Sequence, residues 1–293
     1  MQKIIECVPN FSEGRNLKVI RAIFAAAKKV KTVRVFELEY NRDHNRCLFT
    51  IVGVPLDVLA SVFEAIKTAT KLIDMNKHQG EHPRIGATDV VPFVPVFGVS
   101  MKECVELAEK LGKKVGEELS IPVFLYEEAA TKQENRNLAD VRKGEYEGLK
   151  VRMNKPDFGP SKTHPTAGAV VVGARKFLIA FNINLDTPDV EIAKKIASAI
   201  RERDGGLPGV KALGFKVDGL AQVSINLADF EKTNFDEAFR EVEKLADKMN
   251  VKIKSSEIYG MIPLAALVKS VKTTFKADTF KAGQILEGRL SDD

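Results

Sequence analysis

Twelve consecutive residues, HQGEHPRIGATD (78–89), carry two histidines, a glutamate, an arginine and an aspartate. The chain has 4 histidines among its 293 residues, so half of the side chains that titrate near neutrality lie here. Two chemistries compete for the stretch. His78, Glu81 and His82 spell H-x-x-E-H, a zinc-hydrolase spacing that works only when a helix puts both imidazoles on one face. Gly80 lies between the histidines and Pro83 follows at once, and both oppose helix. The spacing therefore predicts no shared zinc ion. Proton transfer is the other chemistry. His82 precedes Pro83, which biases it towards extended backbone, and Glu81, Arg84 and Asp89 are at hand to orient or tune an imidazole. His82 is the candidate general acid–base, with His78 second.

Asp43, His44, Asn45 and Arg46 fall in NRDHNR (41–46), between two strand-like runs. A plain hairpin turn prefers Asn-Gly or Asp-Gly. A charged loop in its place suits a charged, hydrogen-bonding ligand, the alternative being a solvated hairpin tip. Two further polar loops are NFSEGR (10–15) and GPSKTHPTAG (159–168). All four histidines lie in three of these four loops, a distribution that wetness alone does not predict.

The elements that must carry these loops follow from periodicity. Strand-like IIECVP (4–9) leads into an amphipathic helix from Asn16, then strands TVRVFELEY (32–40) and CLFTIVGV (47–54). A helix over about 55–73 and a strand, DVVPFVPVF (89–97), complete β-α-β-β-α-β. A helix capped by Ser100 and strands at 122–127 and 169–174 come next. Residues 128–168 between them read as charged and irregular. The same order returns at 177–259: FLIAFNINL, a helix with Thr187 as cap and Pro188 at its first position, a hairpin around Asp218-Gly219, a helix capped by Thr233 or Asn234, and VKIKSSEIY. The expected fold class is α/β (α+β): two ferredoxin-like βαββαβ subdomains with a substrate cleft or tunnel between them. Their expected bounds are 1–176, carrying the candidate histidine, and 177–293, ending in a helical tail over 263–290.

Composition narrows the function. Apolar residues make up 44% and charged residues 29%, as in a soluble globular protein. The apolar runs fall short of the ~20 residues of a membrane span, and the N-terminus has no secretory pattern, so a cytoplasmic location is expected. Cys7, Cys47 and Cys104 show no C-x-x-C spacing and read as reduced core thiols. The net charge of +5 is spread along the chain with no basic stripe, which argues against nucleic acid and allows a small anionic substrate. There is no P-loop and no G-x-G-x-x-G turn.

Four strings, VPNFSEGR, DHNR, HPRIGATDVVPFVP and PDFGP…HPTAGAVVVGARKFLIAFNINL, together resemble the glutamate formimidoyltransferase (formiminotransferase) family, in its transferase-only form without a cyclodeaminase domain. The resemblance covers nearly the whole chain. It implies transfer of a formimino group from N-formimidoyl-L-glutamate to N5 of tetrahydrofolate, a reaction of histidine degradation, on two subdomains with a tunnel between them. It places the catalytic histidine at His82 and folate binding on Gly159, Pro160, Ser161, Lys162, Thr163, His164, Pro165, Thr166, Ala167 and Gly168. For the cationic amidine, Glu39 or Asp43 is the expected carboxylate; for the glutamate carboxylates, Arg46, Arg84 and Arg15 are the candidates, with His44 and Asn45 beside them. Tetrahydrofolate is expected as a co-substrate with no metal, and a homodimer without nucleic-acid or membrane partners. Formyl transfer between 5-formyltetrahydrofolate and glutamate, or folate binding without catalysis, would use the same residues.

Overall fold

A computed structural model describes residues 3–149 and 155–286. The chain divides into two compact units, Met1–Arg175 and Lys176–Asp293.

The first unit begins with β1 (Ile4–Cys7) and β2 (Asn10–Phe11), followed by α1 (Leu17–Ala27), β3 (Arg34–Asn41), β4 (Arg46–Gly53), α2 (Pro55–Leu72) and β5 (Thr88–Phe97). Then come α3 (Met101–Leu119), β6 (Val123–Glu127), the short helices α4 (Leu138–Val141) and α5 (Glu145–Leu149), and β7 (Val170–Ala174). β1 and β2, separated at Val8 and Pro9, share one position between β4 and β5, and β3 pairs with the far side of β4. These pairings are antiparallel, as in a βαββαβ unit. β5–β7 and β7–β6 are parallel, so the sheet grows to seven strands and is mixed. The extension has a plain cause. The helix after Ser100 returns the chain to the starting end of the sheet, where a new strand can run only parallel to its neighbour.

Local signals explain the helices. Asn16 accepts hydrogen bonds from the backbone of Lys18 and Val19, and α1 then buries Ile20, Ile23, Ala26 and Ala27 at helical spacing. Ser100 and Glu103 form a reciprocal capping box ahead of α3. Strand alternation turns Ile5, Cys7, Phe11, Cys47, Phe49 and Ile51, each at most 1% exposed, onto one sheet face beneath α1, α2 and α3. All three cysteines are buried free thiols, and burial pushes those of Cys47 and Cys104 up to about 12, which leaves them unreactive.

Asn10, Glu39 and Arg46 fall on the opposite face, since Asn10 and Glu39 are both in register with Leu48 and Asn41 with Arg46. A bulge between Phe36 and Glu39, with Glu37 at φ 47°, re-aims β3 just before Glu39. At the β5–β7–β6 end this face is not bare. Val90, Phe124, Tyr126 and Val171 form a second small core with Leu149, against which Leu138 and Val141 pack. The segment read from sequence as irregular thus folds α4 and α5 over the sheet.

The second unit is a four-stranded antiparallel sheet in the order β11-β8-β10-β9, from β8 (Ile179–Leu185), α6 (Val190–Ile200), β9 (Val210–Val217), β10 (Leu220–Leu227), α7 (Phe235–Lys248) and β11 (Ile253–Tyr259). This is the ferredoxin-like arrangement. The β9–β10 turn puts Asp218 and Gly219 at φ 48° and 82°, as a two-residue hairpin requires. Asn234 caps α7. The cap of α6 corrects the expectation of Thr187: Asp189 accepts from Glu191 N, while Thr187 only closes a turn onto Asp189 N. The carboxylate is the stronger acceptor, and Pro188 sits before the helix instead of in it. The tail is a helix, α8 (Leu264–Phe275), and a short turn at Ala282–Gln284; residues 287–290 of the expected tail lie outside the described residues. No helix among the described residues is long and apolar enough to cross a membrane.

Candidate active site

In the first unit the loops of 10–15, 41–46, 78–89 and 164–168 are held together by contacts that leave no room for side chains. A Cβ on Gly14 would lie 2.0 Å from Asn41 O, and one on Gly80 2.4 Å from His44 O. Asn45 is the clasp. Buried and at φ 48°, it accepts from Gly14 N at 2.8 Å and donates to Gln79 O at 2.9 Å, joining three loops. An asparagine tolerates that backbone region better than most residues. Its role here is to position the loops.

His78 is a second clasp. Its Nε2–H donates to Asn45 O at 2.9 Å and its Nδ1 accepts from Arg84 Nε at 3.1 Å, which defines a neutral ring. The backbone of 78–82 is not helical, and both ring nitrogens of His78 are committed, so the H-x-x-E-H spacing does not aim two imidazoles at one point. Truncating His78 would orphan two buried polar groups, Asn45 O and Arg84 Nε, so the ring holds the loop together.

Arg84 is 6% exposed and fully engaged: it bonds His78 through Nε and Nη2, and Glu145 and Glu147 through Nη1 and Nη2. No donor remains for a substrate carboxylate. Its expected substrate contact is therefore replaced by a structural one, tying the histidine loop to α5. Arg15 is exposed and gives its Nε to Arg42 O, and Asp43 stands exposed at the loop tip.

The folate-binding stretch expected at 159–168 divides into anchored ends and an accessible middle. Gly159, at φ 79°, lies against Gly116 of α3 and Ile121 O. Ala167 and Gly168 are buried beside residues 85–87, through Ala87 N to Ala167 O and Ala169 N to Ile85 O. Gly168, at φ 72°, would put a Cβ 2.4 Å from Ile85 O. The close approach is to the chain's own backbone, so bulk at Gly168 costs stability first. His164 Nδ1 accepts from the backbone of Thr166 and Ala167, closing the turn, whereas Ser161 and Lys162 are exposed.

What remains converges on His82. Arg46 Nη1 donates to His82 Nε2 at 2.8 Å and bonds Asn10 Oδ1 at 3.2 Å. A guanidinium only donates, so Nε2 is the acceptor and the ring proton is on Nδ1. The His44 ring lies 6.1 Å away. Burial, then the charges of Arg46 and Arg142 and the neighbouring His44, push the His82 imidazole down to about 2, against a weaker pull from the Pro83 backbone. Burial and the neighbouring Glu37 raise the Glu39 carboxyl, and Arg46 opposes them. Arg142, at the end of α4, pairs with Asp89, whose other oxygen accepts from Ile85 N at 3.0 Å. Sequence reading missed Asn10 and Arg142. The first lay in view within VPNFSEGR; the second sat in a charged run that carried no mark of its partner.

The depressed imidazole has a consequence for stability. Its folded pKa lies below the unfolded value near 6.5, so above pH 6.5 both states are neutral and nothing is gained or lost. As pH falls below 6.5 the unfolded chain takes up a proton that the folded one refuses, and stability declines. Between pH 6.5 and 4.5 the loss from His82 is on the order of 2 kcal/mol. His82→Gln should melt with a shallower acid slope than the wild type over that window. Parallel slopes would show that His82 accepts protons normally.

A mixed sheet extended from a βαββαβ unit, a second such unit, and a desolvated histidine among glycine-locked loops define a class. Residues 4–175 match the "Formiminotransferase domain, N-terminal subdomain" and residues 180–282 the "Formiminotransferase domain", so the chain belongs to the formiminotransferase family. Among particular proteins, it is 43% identical over 297 residues to a glutamate formimidoyltransferase of Streptococcus pyogenes serotype M1, covering 99% of both chains. It is 45% identical over 295 residues to one from Thermoplasma acidophilum, covering 98% of this chain and 97% of that one. With the formimidoyltransferase-cyclodeaminase of Mus musculus it shares 45% over 280 residues, or 92% of this chain but 52% of the mouse protein.

Proposed function

We propose that this chain transfers the formimino group of N-formimidoyl-L-glutamate to N5 of tetrahydrofolate, giving 5-formimidoyltetrahydrofolate and L-glutamate. Likeness over full length to proteins named for that reaction supports it. The observation that carries it is the neutral His82 imidazole, its acceptor nitrogen turned to a guanidinium at 2.8 Å in a partly desolvated site.

On this reading N5 attacks the amidine carbon and a C–N5 bond forms. His82 Nε2 takes the proton N5 loses and returns it to the glutamate nitrogen as the old C–N bond breaks, so one imidazole serves as base and then acid. Glu39, on the same sheet face as Arg46 and Asn10 and close enough to feel the charge of Arg46, is the better placed carboxylate to hold the cationic amidine; Asp43 lies in the loop beyond β3. Arg46 serves a substrate carboxylate. Ser161 and Lys162, accessible between anchored ends, are the folate-facing part of 159–168. No step requires a metal or a covalent intermediate, because holding two substrates in register supplies much of the rate.

The test is an assay of the purified protein with N-formimidoyl-L-glutamate and tetrahydrofolate beside N-formyl-L-glutamate. Turnover is expected with the formimino donor and at least tenfold less with the formyl donor. Turnover confined to the formyl donor, or absent with both, would reject the reading.

A further inference from the structure

Arg46 is partly buried, yet its hydrogen-bond partners are both neutral: Asn10 Oδ1 and His82 Nε2. No carboxylate forms an ion pair with it among the described residues. A second guanidinium stands nearby. Arg142 is carried in by α4, whose Leu138 and Val141 pack on the same sheet face that holds Asn10 and Arg46. The Arg142 side chain is 15% exposed and is tied by Nη2 to Asp89, itself 1% exposed. Its Nε is buried with no partner among the described residues. The charge of Arg142 acts on both Arg46 and His82. Arg142 is tied to Asp89, Arg46 feels the charges of Asp89 and Glu39 without an ion pair to either, and one buried guanidinium donor is unspent, an arrangement that an arriving anion relieves.

We propose that Arg142 and Arg46 form a carboxylate clamp beside His82, and that the incoming carboxylate draws Arg46 away from His82 Nε2, freeing that nitrogen to accept a proton. The clamp rests on the reading given under Proposed function for its natural ligand, the glutamate moiety of the donor. It also resolves a conflict within the site. While Arg46 occupies Nε2, His82 has no lone pair to offer a substrate; a carboxylate on Arg46 restores it and neutralises part of the charge that opposes protonation. The imidazole becomes basic only when the substrate is bound. The titratable or charged groups that face it are Arg46 from β4, Arg142 from the end of α4 and His44 from the β3–β4 loop. Arg142 is a binding and positioning residue in this scheme, and His82 remains the proton carrier.

The experiment uses the full chain and two dicarboxylates, L-glutamate and the non-reacting analogue glutarate. Binding is followed by calorimetry and the His82 ring by NMR titration. In the free wild type His82 should stay neutral down to about pH 4, and saturating dicarboxylate should raise its titration by at least one pH unit. Arg142→Gln leaves Asp89 without its cation, so it is paired with Asp89→Asn to preserve the fold, and Arg142→Lys tests the fork against the charge. The double variant should bind both dicarboxylates at least tenfold more weakly and raise KM for the formimino donor by a similar factor. Its KM for tetrahydrofolate should move less than threefold, and Arg142→Lys should recover only part of the loss. Wild-type affinity in a folded double variant, a His82 titration that dicarboxylate does not move, or no dicarboxylate binding to the wild type would each overturn the clamp. Dicarboxylate binding with the His82 shift, in a protein that does not turn over the formimino donor, would sustain the clamp and reject the proposed reaction.

Discussion

His82→Ala is expected to lower kcat by roughly 10²–10⁴-fold, the usual worth of a positioned acid–base group, while the fold persists. Two features of the site make this a demanding test. The imidazole is held by Arg46 at 2.8 Å and is unprotonated at neutral pH, so the variant removes no charge from the free protein. It also removes a group whose protonation the fold opposes, so melting at pH 7 should change little and acid tolerance should improve. The pH profile sharpens the prediction. kcat/KM reports the free protein, in which His82 lies near 2, so no His82 inflection should appear near the ordinary histidine value. kcat reports the bound state, where a carboxylate on Arg46 lifts the imidazole, so an acid limb should emerge there and vanish in the variant. Near-full turnover by His82→Ala would reduce the residue to a member of the loop.

Gly86→Ala should be the most damaging small substitution in the site, and for a reason unrelated to catalysis. Gly86 and Gly168 face one another across an isolated antiparallel bridge, and a Cβ on Gly86 would sit 1.9 Å from Ala169 O and 2.6 Å from Ala167 O. Real Cβ atoms do not approach backbone so closely, so the 84–89 loop must lift off the 167–169 segment. That movement breaks the bonds from Ala87 N to Ala167 O and from Ala169 N to Ile85 O. The expected cost is about 3 kcal/mol or more, which lowers the melting temperature by roughly 6–12 °C at this size. Gly168→Ala should behave similarly, with an added penalty for φ 72°. Thermal melts of the two variants decide the matter. An unchanged melting temperature in either would mean that the two loops are not locked together.

Much of the architecture follows from patterns that span fewer than twenty residues. Ser100 with Glu103, Asn16 before an apolar stripe, Asp218-Gly219 between two alternating runs, and Ile5, Cys7, Phe49 and Ile51 at period two are all local statements. They were enough for the repeated βαββαβ order, because each element satisfies its own backbone and announces its buried face. The same locality made Gly80 and Pro83 legible as helix breakers, and the backbone of 78–82 is not helical.

The roles within the candidate site were a tertiary matter. Arg46, Arg84 and Arg15 are the same residue in sequence, yet one points at an imidazole, one is spent on two glutamates and a histidine, and one lies in solvent. Asn45, expected beside the substrate's carboxylates, clasps Gly14 and Gln79, and Gly168, expected in the folate-binding stretch, lies against Ile85 O. Arg142 lies 53 residues from its partner Asp89, inside a charged run whose apolar anchors, Leu138 and Val141, gain meaning only against Val90 and Tyr126. The physical reason is the range of the forces involved. Helix caps, turns and strand alternation are set by neighbours along the chain, whereas a charged side chain's partner, burial and basicity depend on which distant segments the sheet brings beside it. The sequence by itself determined which residues were available for chemistry and which elements would carry them. The tertiary structure decided which of them are committed to holding the loops, and which remain for a substrate.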